Sequence, residues 1–296
     1  MCMEKFVLAC SSTADQPKDF FETRDIPYIC FRWITEDGEV HPDDLGQTVP
    51  LPEFYARMRG GEMPKTSQPN LQDFTEFFER FLKTGQDILY IALSAGISGA
   101  CGSARSAAEA LKETYPERRI AVVDSRNASL GYALLVDGIW RQKAQGRTLE
   151  ECRAWAEEAR LRVQTWFYST DLTWYVRGGR VKPAAGLVGN ILNICPVLHV
   201  DGEGMLIPSA KVRGKQKAAQ TLLAKMQTRA KGGSAYRDAV YIVHSDCAEE
   251  AERLKAMVEE AFPDAEPAVI SEIGCVIGAH TGPGTAALTF WGEGNR

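Results

Sequence analysis

In the first half of the chain, short apolar runs alternate with stretches whose apolar residues recur at helical spacing. The runs 87–93 and 119–124 are apolar almost throughout, which is typical of strands covered on both faces. The helical pattern follows each run, at 104–111 and again at 130–140. Strands that alternate with helices in this way predict an α/β fold with a doubly wound parallel sheet.

The pattern changes in the second half. A capping-box sequence at 148–151 predicts the start of a new helix. Further on, 196–200 and 205–212 resemble an antiparallel pair joined by a glycine-containing turn. Hairpins mixed with helices predict an α+β domain with a mixed or antiparallel sheet. We therefore expect two domains, 1–147 and 148–296.

Four local patterns give further expectations. Residues 28–34 predict a single strand, and the small residues at 184–192 predict a helix. The stretch 60–70 holds two glycines, two prolines and several polar residues, which predicts a loop. The apolar run 276–279 predicts a late strand that ends at His280.

Polar residues follow three of the predicted parallel strands. They are Ser11 and Ser12, the turn 94–99, and Asp124 with Ser125. Ligands of doubly wound sheets bind beyond the carboxyl ends of the strands, so we expect these residues to border one crevice. A Gly/Ser turn that opens a helix also presents backbone N–H groups to a carboxylate or phosphate. A βα turn with packing glycines explains the same residues without any ligand.

Composition narrows the classes of function. A net charge of −5, without a long basic run, argues against nucleic-acid binding. The eight cysteines include no C-x-x-C and no zinc spacing, so we expect reduced, mostly buried thiols and no metal site. The N-terminus does not resemble a signal peptide, and no apolar stretch comfortably spans a bilayer. A cytoplasmic protein without an integral membrane segment is the expectation.

Five motifs together resemble the DegV family of bacterial fatty-acid-binding proteins. T-S-Q-P lies at 66–69 and S-x-x-x-S-G at 94–99. D-S follows at 124–125, G-G-R at 178–180 and H-x-G-P-G at 280–284. Each motif alone is weak evidence for the family. Together they occur in the family's order and spacing and extend over nearly the whole chain.

The resemblance implies a two-domain α/β protein that holds a long-chain fatty acid between its domains, with no cofactor and no catalysis of its own. It implies that the carboxylate is held by Thr66 and Ser98, together with Gly99 and His280. Supporting roles are expected for two more residues of the same motifs, Ser67 and Ser94.

The resemblance also implies a partner. In the better understood members of the family, the protein presents the fatty acid to a separate ATP-dependent kinase subunit, which phosphorylates the carboxylate to an acyl-phosphate. The arginine of G-G-R, Arg180, is expected to contact that subunit. The Gly/Ser turn at 94–99 suits the acyl-phosphate product as well as the acid, because negative charge is favoured at a helix N-terminus.

Two other functions use the same residues. A serine esterase or thioesterase would use Ser98 as nucleophile, His280 as base and an acid such as Asp124. Against it, the sequence at 96–100 lacks the final glycine of the G-x-S-x-G nucleophile elbow. A lipid sensor with a partner other than a kinase is the third possibility.

Overall fold

A computed structural model of the protein describes residues 6–182 and 193–296. The predicted helix at 184–192 therefore lies outside the described residues. The strands are β1 (Phe6–Ser11), β2 (Tyr28–Ile29), β3 (Arg32–Ile34), β4 (Val40–Pro42), β5 (Lys65–Ser67), β6 (Asp87–Ala92), β7 (Ile120–Asp124), β8 (Val163–Tyr168), β9 (Ile194–Val200), β10 (Leu206–Arg213), β11 (Tyr241–His244), β12 (Val269–Glu272) and β13 (Ala286–Trp291). The α-helices are α1 (Lys18–Arg24), α2 (Leu51–Arg59), α3 (Leu71–Leu82), α4 (Ala100–Thr114), α5 (Ser129–Ala144), α6 (Leu149–Ala159), α7 (Thr173–Arg177), α8 (Lys215–Arg229), α9 (Ala248–Ala261) and α10 (Cys275–Thr281).

The first half of the chain forms a parallel sheet with the strand order β2-β1-β6-β7. Side chains of β6 alternate between its two faces. Ile88 and Tyr90 pack with α3 and α4, whereas Leu89 and Ile91 pack with α5 and α6. Helices therefore cover both faces, which is why the run 87–93 is apolar without alternation. The predicted doubly wound α/β architecture is confirmed.

The second half forms a six-stranded mixed sheet with the order β10-β9-β8-β13-β11-β12. Adjacent strands in this sheet are antiparallel, except that β11 and β12 are parallel to each other. The predicted hairpin is present as β9 and β10, and the Asp201 carboxylate accepts the amides of Glu203 and Met205 in its turn. The mixed sheet of the expected α+β part is thus confirmed.

Helix α5 is shared by the two sheets. Every residue from 129 to 139 is buried, because this helix packs on the parallel sheet and on β8, β11 and β13. A helical stretch that is apolar nearly all round, as 129–139 is apart from Ser129 and Asp137, is expected where no face meets water. The domain boundary at 147 follows this shared helix and stays a prediction.

Two predictions at 28–34 and 60–70 are corrected. Residues 28–34 form two short strands, β2 and β3, in different sheets. The stretch 60–70 is not all loop, since it contains β5, which pairs antiparallel with β3 so that Trp33 faces Thr66. The partner that makes β5 a strand lies some thirty residues earlier, and a local pattern cannot register it.

The predicted strand at 276–279 is wrong, because these residues lie within helix α10. Its first amides are held by carboxylates that are distant in sequence. Gly274 N–H donates to Asp15 Oδ1 at 3.0 Å, and Cys275 N–H donates to Asp43 Oδ1 at 3.0 Å. This tertiary capping satisfies N–H groups that a short helix leaves unpaired. His280 consequently lies in the last turn of a helix, not at a strand end.

The seven cysteines among the described residues are free thiols, and all but Cys30 are buried. None of the described helices combines the length and the apolar character needed to cross a bilayer.

Candidate functional site

A cleft lies between the carboxyl ends of the parallel strands and one face of the mixed sheet. It encloses about 960 Å³ of space, its open mouth included. The mixed sheet, α10 and the segments that follow β2, β6, β7 and β12 contribute its apolar lining, which consists of Phe31, Leu93, Ile97, Ala128, Phe167, Val200, Leu206, Val243, Ile273, Val276, Ile277 and Ala287. A cleft with mostly apolar walls and a few polar groups is the usual form of a small-molecule site.

Three of the predicted carboxylate ligands line this cleft. Thr66 comes from β5, Ser98 from the turn before α4, and His280 from α10. Thr66 Oγ1 and His280 Nε2 are 2.8 Å apart, although 214 residues separate them in the chain. The fold therefore brings two of the resemblance motifs into direct hydrogen-bond contact.

Gln68 is a lining residue that we did not predict. Its Oε1 accepts the Ser98 hydroxyl at 3.1 Å, and its Nε2 donates to Ser103 Oγ at 3.4 Å. Gly99 permits this approach, since a Cβ at that position would lie 3.1 Å from the Gln68 amide. The signal was present in the sequence, because Gln68 belongs to the T-S-Q-P motif.

His280 is held neutral. Burial, the larger cause, and the charge of Arg180 together lower its pKa to about 4. Its Nδ1 is buried without a partner against Gly178, where a Cβ would come within 2.4 Å of that nitrogen. A neutral ring that donates from Nε2 to Thr66 Oγ1 leaves the Thr66 hydroxyl proton free to donate to an anion.

Arg180 lines the cleft beside His280. Its Nε donates to the carbonyl of Ile97 at 3.2 Å, and its Nη1 donates to the carbonyl of Gly178. In the part of the chain that the structure describes, Arg180 forms no ion pair. Burial lowers the pKa of its guanidinium, which nevertheless stays charged. The cleft thus contains a positive charge that is not paired with any carboxylate among the described residues.

The remaining predicted residues are near the cleft but outside its lining. Ser94 is fully buried and donates to the carbonyl of Gly204 at 2.9 Å, which ties the β6 turn to the hairpin. Ser67 Oγ has only a 3.5 Å contact with the carbonyl of Gln68. Gly99 is the exposed N-cap of α4.

The described hydrogen bonds contain no Ser-His-Asp relay. Ser98 donates to Gln68, and His280 Nε2 bonds to Thr66 rather than to Ser98. The Asp124 carboxylate accepts the amides of Ala95 and Arg126 at 3.2 and 2.8 Å. A relay needs the acid to orient the histidine, and the histidine to accept the serine proton. This arrangement does not favour the esterase.

Residues 6–182 and 193–296 provide no cluster of metal ligands. No group of three or more His, Cys, Asp or Glu side chains in these ranges is arranged to hold a metal ion. The polar end of the cleft consists of hydroxyl, amide, imidazole and guanidinium groups. These are donors suited to an anionic oxygen.

The neutral His280 predicts a pH dependence of stability. Its pKa is about 4 in the folded chain and 6.5 when unperturbed. At pH values between these two, the unfolded chain binds a proton that the folded chain does not bind. The free energy of unfolding falls as the pH drops through this window. We expect His280 to account for about 2 kcal/mol less stability at pH 5 than at pH 8.

Urea denaturation of the wild type and of His280→Asn at both pH values measures this contribution. The variant should lose less stability than the wild type on acidification. Burial raises the pKa of Asp43 to about 6, so Asp43 changes the stability with the opposite sign. Both proteins contain Asp43, so its contribution cancels when their losses of stability are compared. Equal losses in the two proteins would show that His280 is not held neutral.

A sequence model of the DegV family, described as uncharacterised proteins, matches residues 5–293. A DegV domain-containing protein of Clostridium perfringens is 37% identical over 291 residues, which cover 98% of this chain and 99% of that one. A fatty acid-binding protein of Thermotoga maritima is 33% identical over 289 residues, 96% of each chain.

Solved structures of DegV proteins have the same fold as this chain. A DegV lipid-binding protein of Thermotoga maritima superposes with a TM-score of 0.85 at 30% identity, covering 99% of this chain and 100% of that one. A DegV family protein of Thermus thermophilus, described for its fatty acid binding, gives a TM-score of 0.86 at 27% identity, covering 97% and 99%. With a family match over nearly the whole sequence and relatives above 30% identity along its length, the chain belongs to the DegV family.

Proposed function

We propose that the protein binds a long-chain fatty acid in the cleft and presents its carboxylate to a separate kinase subunit. The observation that carries the proposal is a largely apolar cleft whose lining includes hydroxyl groups and an arginine without an ion pair among the described residues. Two relatives support the ligand class, since the Thermotoga maritima relative is named a fatty acid-binding protein and the Thermus thermophilus structure is described for fatty acid binding.

The head group would be held by charge-assisted hydrogen bonds. Thr66 and Ser98 supply hydroxyl donors, His280 orients the Thr66 hydroxyl, and Arg180 supplies positive charge. A hydrogen bond to a carboxylate contributes about 1.5–3 kcal/mol, more than a bond between neutral groups. Ser98 would exchange its present acceptor, Gln68, for the carboxylate. The head group therefore fixes the direction in which the acid enters.

The tail would supply most of the affinity. Burying a sixteen-carbon chain contributes about 11 kcal/mol at 0.8 kcal/mol per CH₂, before the cost of association. The apolar walls from the mixed sheet, α10 and the segments after the parallel strands provide the surface for this burial. No charged side chain other than Arg180 belongs to the described lining, so the tail meets no ion that it would have to desolvate.

Native mass spectrometry of the purified protein, followed by analysis of its organic extract, tests the ligand. We expect one fatty acid per chain. A protein that arrives empty and takes up no added palmitate or oleate would rule out the lipid assignment, and activated esters would then be the next ligands to try.

The kinase step is part of the same proposal. A separate ATP-dependent subunit would phosphorylate the bound carboxylate, and the carrier would contribute orientation rather than catalysis. The donors at the polar end also suit the acyl-phosphate product, since their positive partial charges favour additional negative charge. Arg180 is the candidate contact because it lies at the cleft and directly follows the exposed Gly179.

Arg180→Ala tests the kinase contact. With the lipid saturating, we expect acyl-phosphate formation by the kinase subunit to slow by at least about tenfold, since one charge-assisted contact is lost. The measurement is the rate of acyl-phosphate production at fixed kinase concentration. Arg237→Ala, which removes a surface arginine paired with Asp264, is the matched control. Unchanged turnover in Arg180→Ala would exclude the contact.

A further inference from the structure

Helix α10 connects two parts of the molecule that lie far apart in sequence. Its side chains Val276, Ile277 and His280 line the cleft. Its first amides are held by Asp15, from the turn after β1, and Asp43, from the loop after β4. The position of the head-group histidine thus depends on two carboxylates that do not themselves line the cleft.

The contact between these carboxylates and α10 is close. Gly274 N–H and Cys275 N–H each donate at 3.0 Å to a different aspartate. A Cβ on Gly274 would lie 2.9 Å from Asp15 Oδ1 and 3.0 Å from Asp43 Oδ1. A third bond, from Tyr55 Oη to the carbonyl of Ile273 at 2.8 Å, fixes the chain just before the helix. The N-terminus of α10 therefore has little freedom to shift.

Both aspartates are buried, which is costly for carboxyl groups. Burial raises the pKa of Asp43 to about 6, although amide donors on α10 and the Ser12 hydroxyl oppose the rise. Burial also raises the pKa of Asp15, and the nearby Asp43 adds to that rise. Packing alone would be served better by apolar side chains, so the acids are explained by the amides they hold.

The other end of α10 carries the head-group contact. The helix has only seven residues, so its two ends are less than two full turns apart. His280 lies in the last turn and meets Thr66 Oγ1 at 2.8 Å. Thr66 belongs to the same half of the chain as Asp15 and Asp43. One half of the chain therefore holds α10 at both ends.

We propose that Asp15 and Asp43 are positioning residues of the head-group site, which fix α10 so that His280 Nε2 meets Thr66. The inference rests on the proposed function, because it concerns the same carboxylate site. Neither aspartate touches the ligand. They affect binding of the carboxylate only by fixing the position of the His280 imidazole.

The test compares two probes with identical tails, hexadecanoic acid and hexadecan-1-ol, in direct binding titrations. The acid uses the head-group site and the tail walls, whereas the alcohol depends mainly on the tail walls. We expect Asp43→Ala to reduce the preference for the acid over the alcohol by about tenfold. A general loosening of the protein would weaken both probes equally, and that result would overturn the proposal.

A double-mutant cycle shows whether Asp43 acts through His280. In a His280→Ala background, Asp43→Ala should cause no further loss of preference. A further loss of the same size would overturn the proposal. Asp43→Asn keeps an acceptor for Cys275 N–H and should retain most of the preference. Asp43→Leu, which largely fills the space of the aspartate without an acceptor, makes the same test if Asp43→Ala does not fold.

The preference of the wild-type protein for the acid over the alcohol distinguishes a failure of the proposed function from a failure of the positioning role. If the wild-type protein itself does not prefer the acid, the proposed function fails. If the wild type prefers the acid and the Asp43 variants retain that preference in full, only the positioning role is wrong.

Discussion

Replacing both Thr66 and Ser98 by alanine is expected to weaken fatty-acid binding by on the order of 100-fold. The carboxylate would lose two hydroxyl donors, each contributing about 1.5–3 kcal/mol, with part of the loss recovered by Arg180 and by water. The same change removes the oxygen that His280 Nε2 meets at 2.8 Å. Isothermal titration or displacement of a fluorescent fatty acid measures the effect.

The matched control removes two threonine hydroxyls outside the cleft. Thr75 is half-buried and Thr228 is exposed, and their hydroxyls donate to the backbone of their own helices, at 2.8 Å to Leu71 and 3.0 Å to Ala224. The Thr75→Ala, Thr228→Ala variant should bind as the wild type does. Equal affinity of the Thr66/Ser98 variant and this control would remove both residues from the head-group site.

Shortening the ligand from sixteen to twelve carbons is expected to weaken binding by about 100-fold. Four CH₂ groups that no longer leave water forfeit about 3 kcal/mol, while the head-group contacts and the cost of association stay the same. The walls that provide this burial include Phe167, Ile277 and Ala287. Titration of saturated acids of increasing length into one preparation measures the increment per carbon.

Head and tail should contribute independently. The ratio of the two affinities is therefore expected to be the same in the wild type and in the Thr66/Ser98 variant, since well-separated sites add. If the twelve- and sixteen-carbon acids bind equally well to the wild type, the tail does not occupy the apolar part of the cleft. A carboxylate site without a tail site would then be the correct description.

The head-group site was partly readable from motifs. T-S-Q-P and H-x-G-P-G identified Thr66 and His280, which the structure brings to 2.8 Å. The role of Gln68 as the acceptor for Ser98 was not readable, because thirty residues separate them and only the fold brings them together. Arg180 was expected as a surface contact, and its entry into the lining of the cleft depends on the turn after α7.

The sequence alone determined the parallel sheet and its flanking helices. Their apolar periodicity is a local property: 87–93 is apolar because both its faces are covered, and the capping box of Thr148 and Glu151 begins α6 through bonds within four residues. Such elements are specified by neighbours in the chain, so their pattern is visible without the fold.

Only the tertiary structure decided the elements whose hydrogen-bond partners are distant. β5 is a strand because β3 pairs with it, and α10 is a helix because Asp43, 232 residues away, accepts an amide at its start. The neutral state of His280 likewise follows from its burial and from the charge of Arg180. Backbone amides and ionisable groups respond to whatever surrounds them, and those surroundings exist only once the two halves of the chain have packed together.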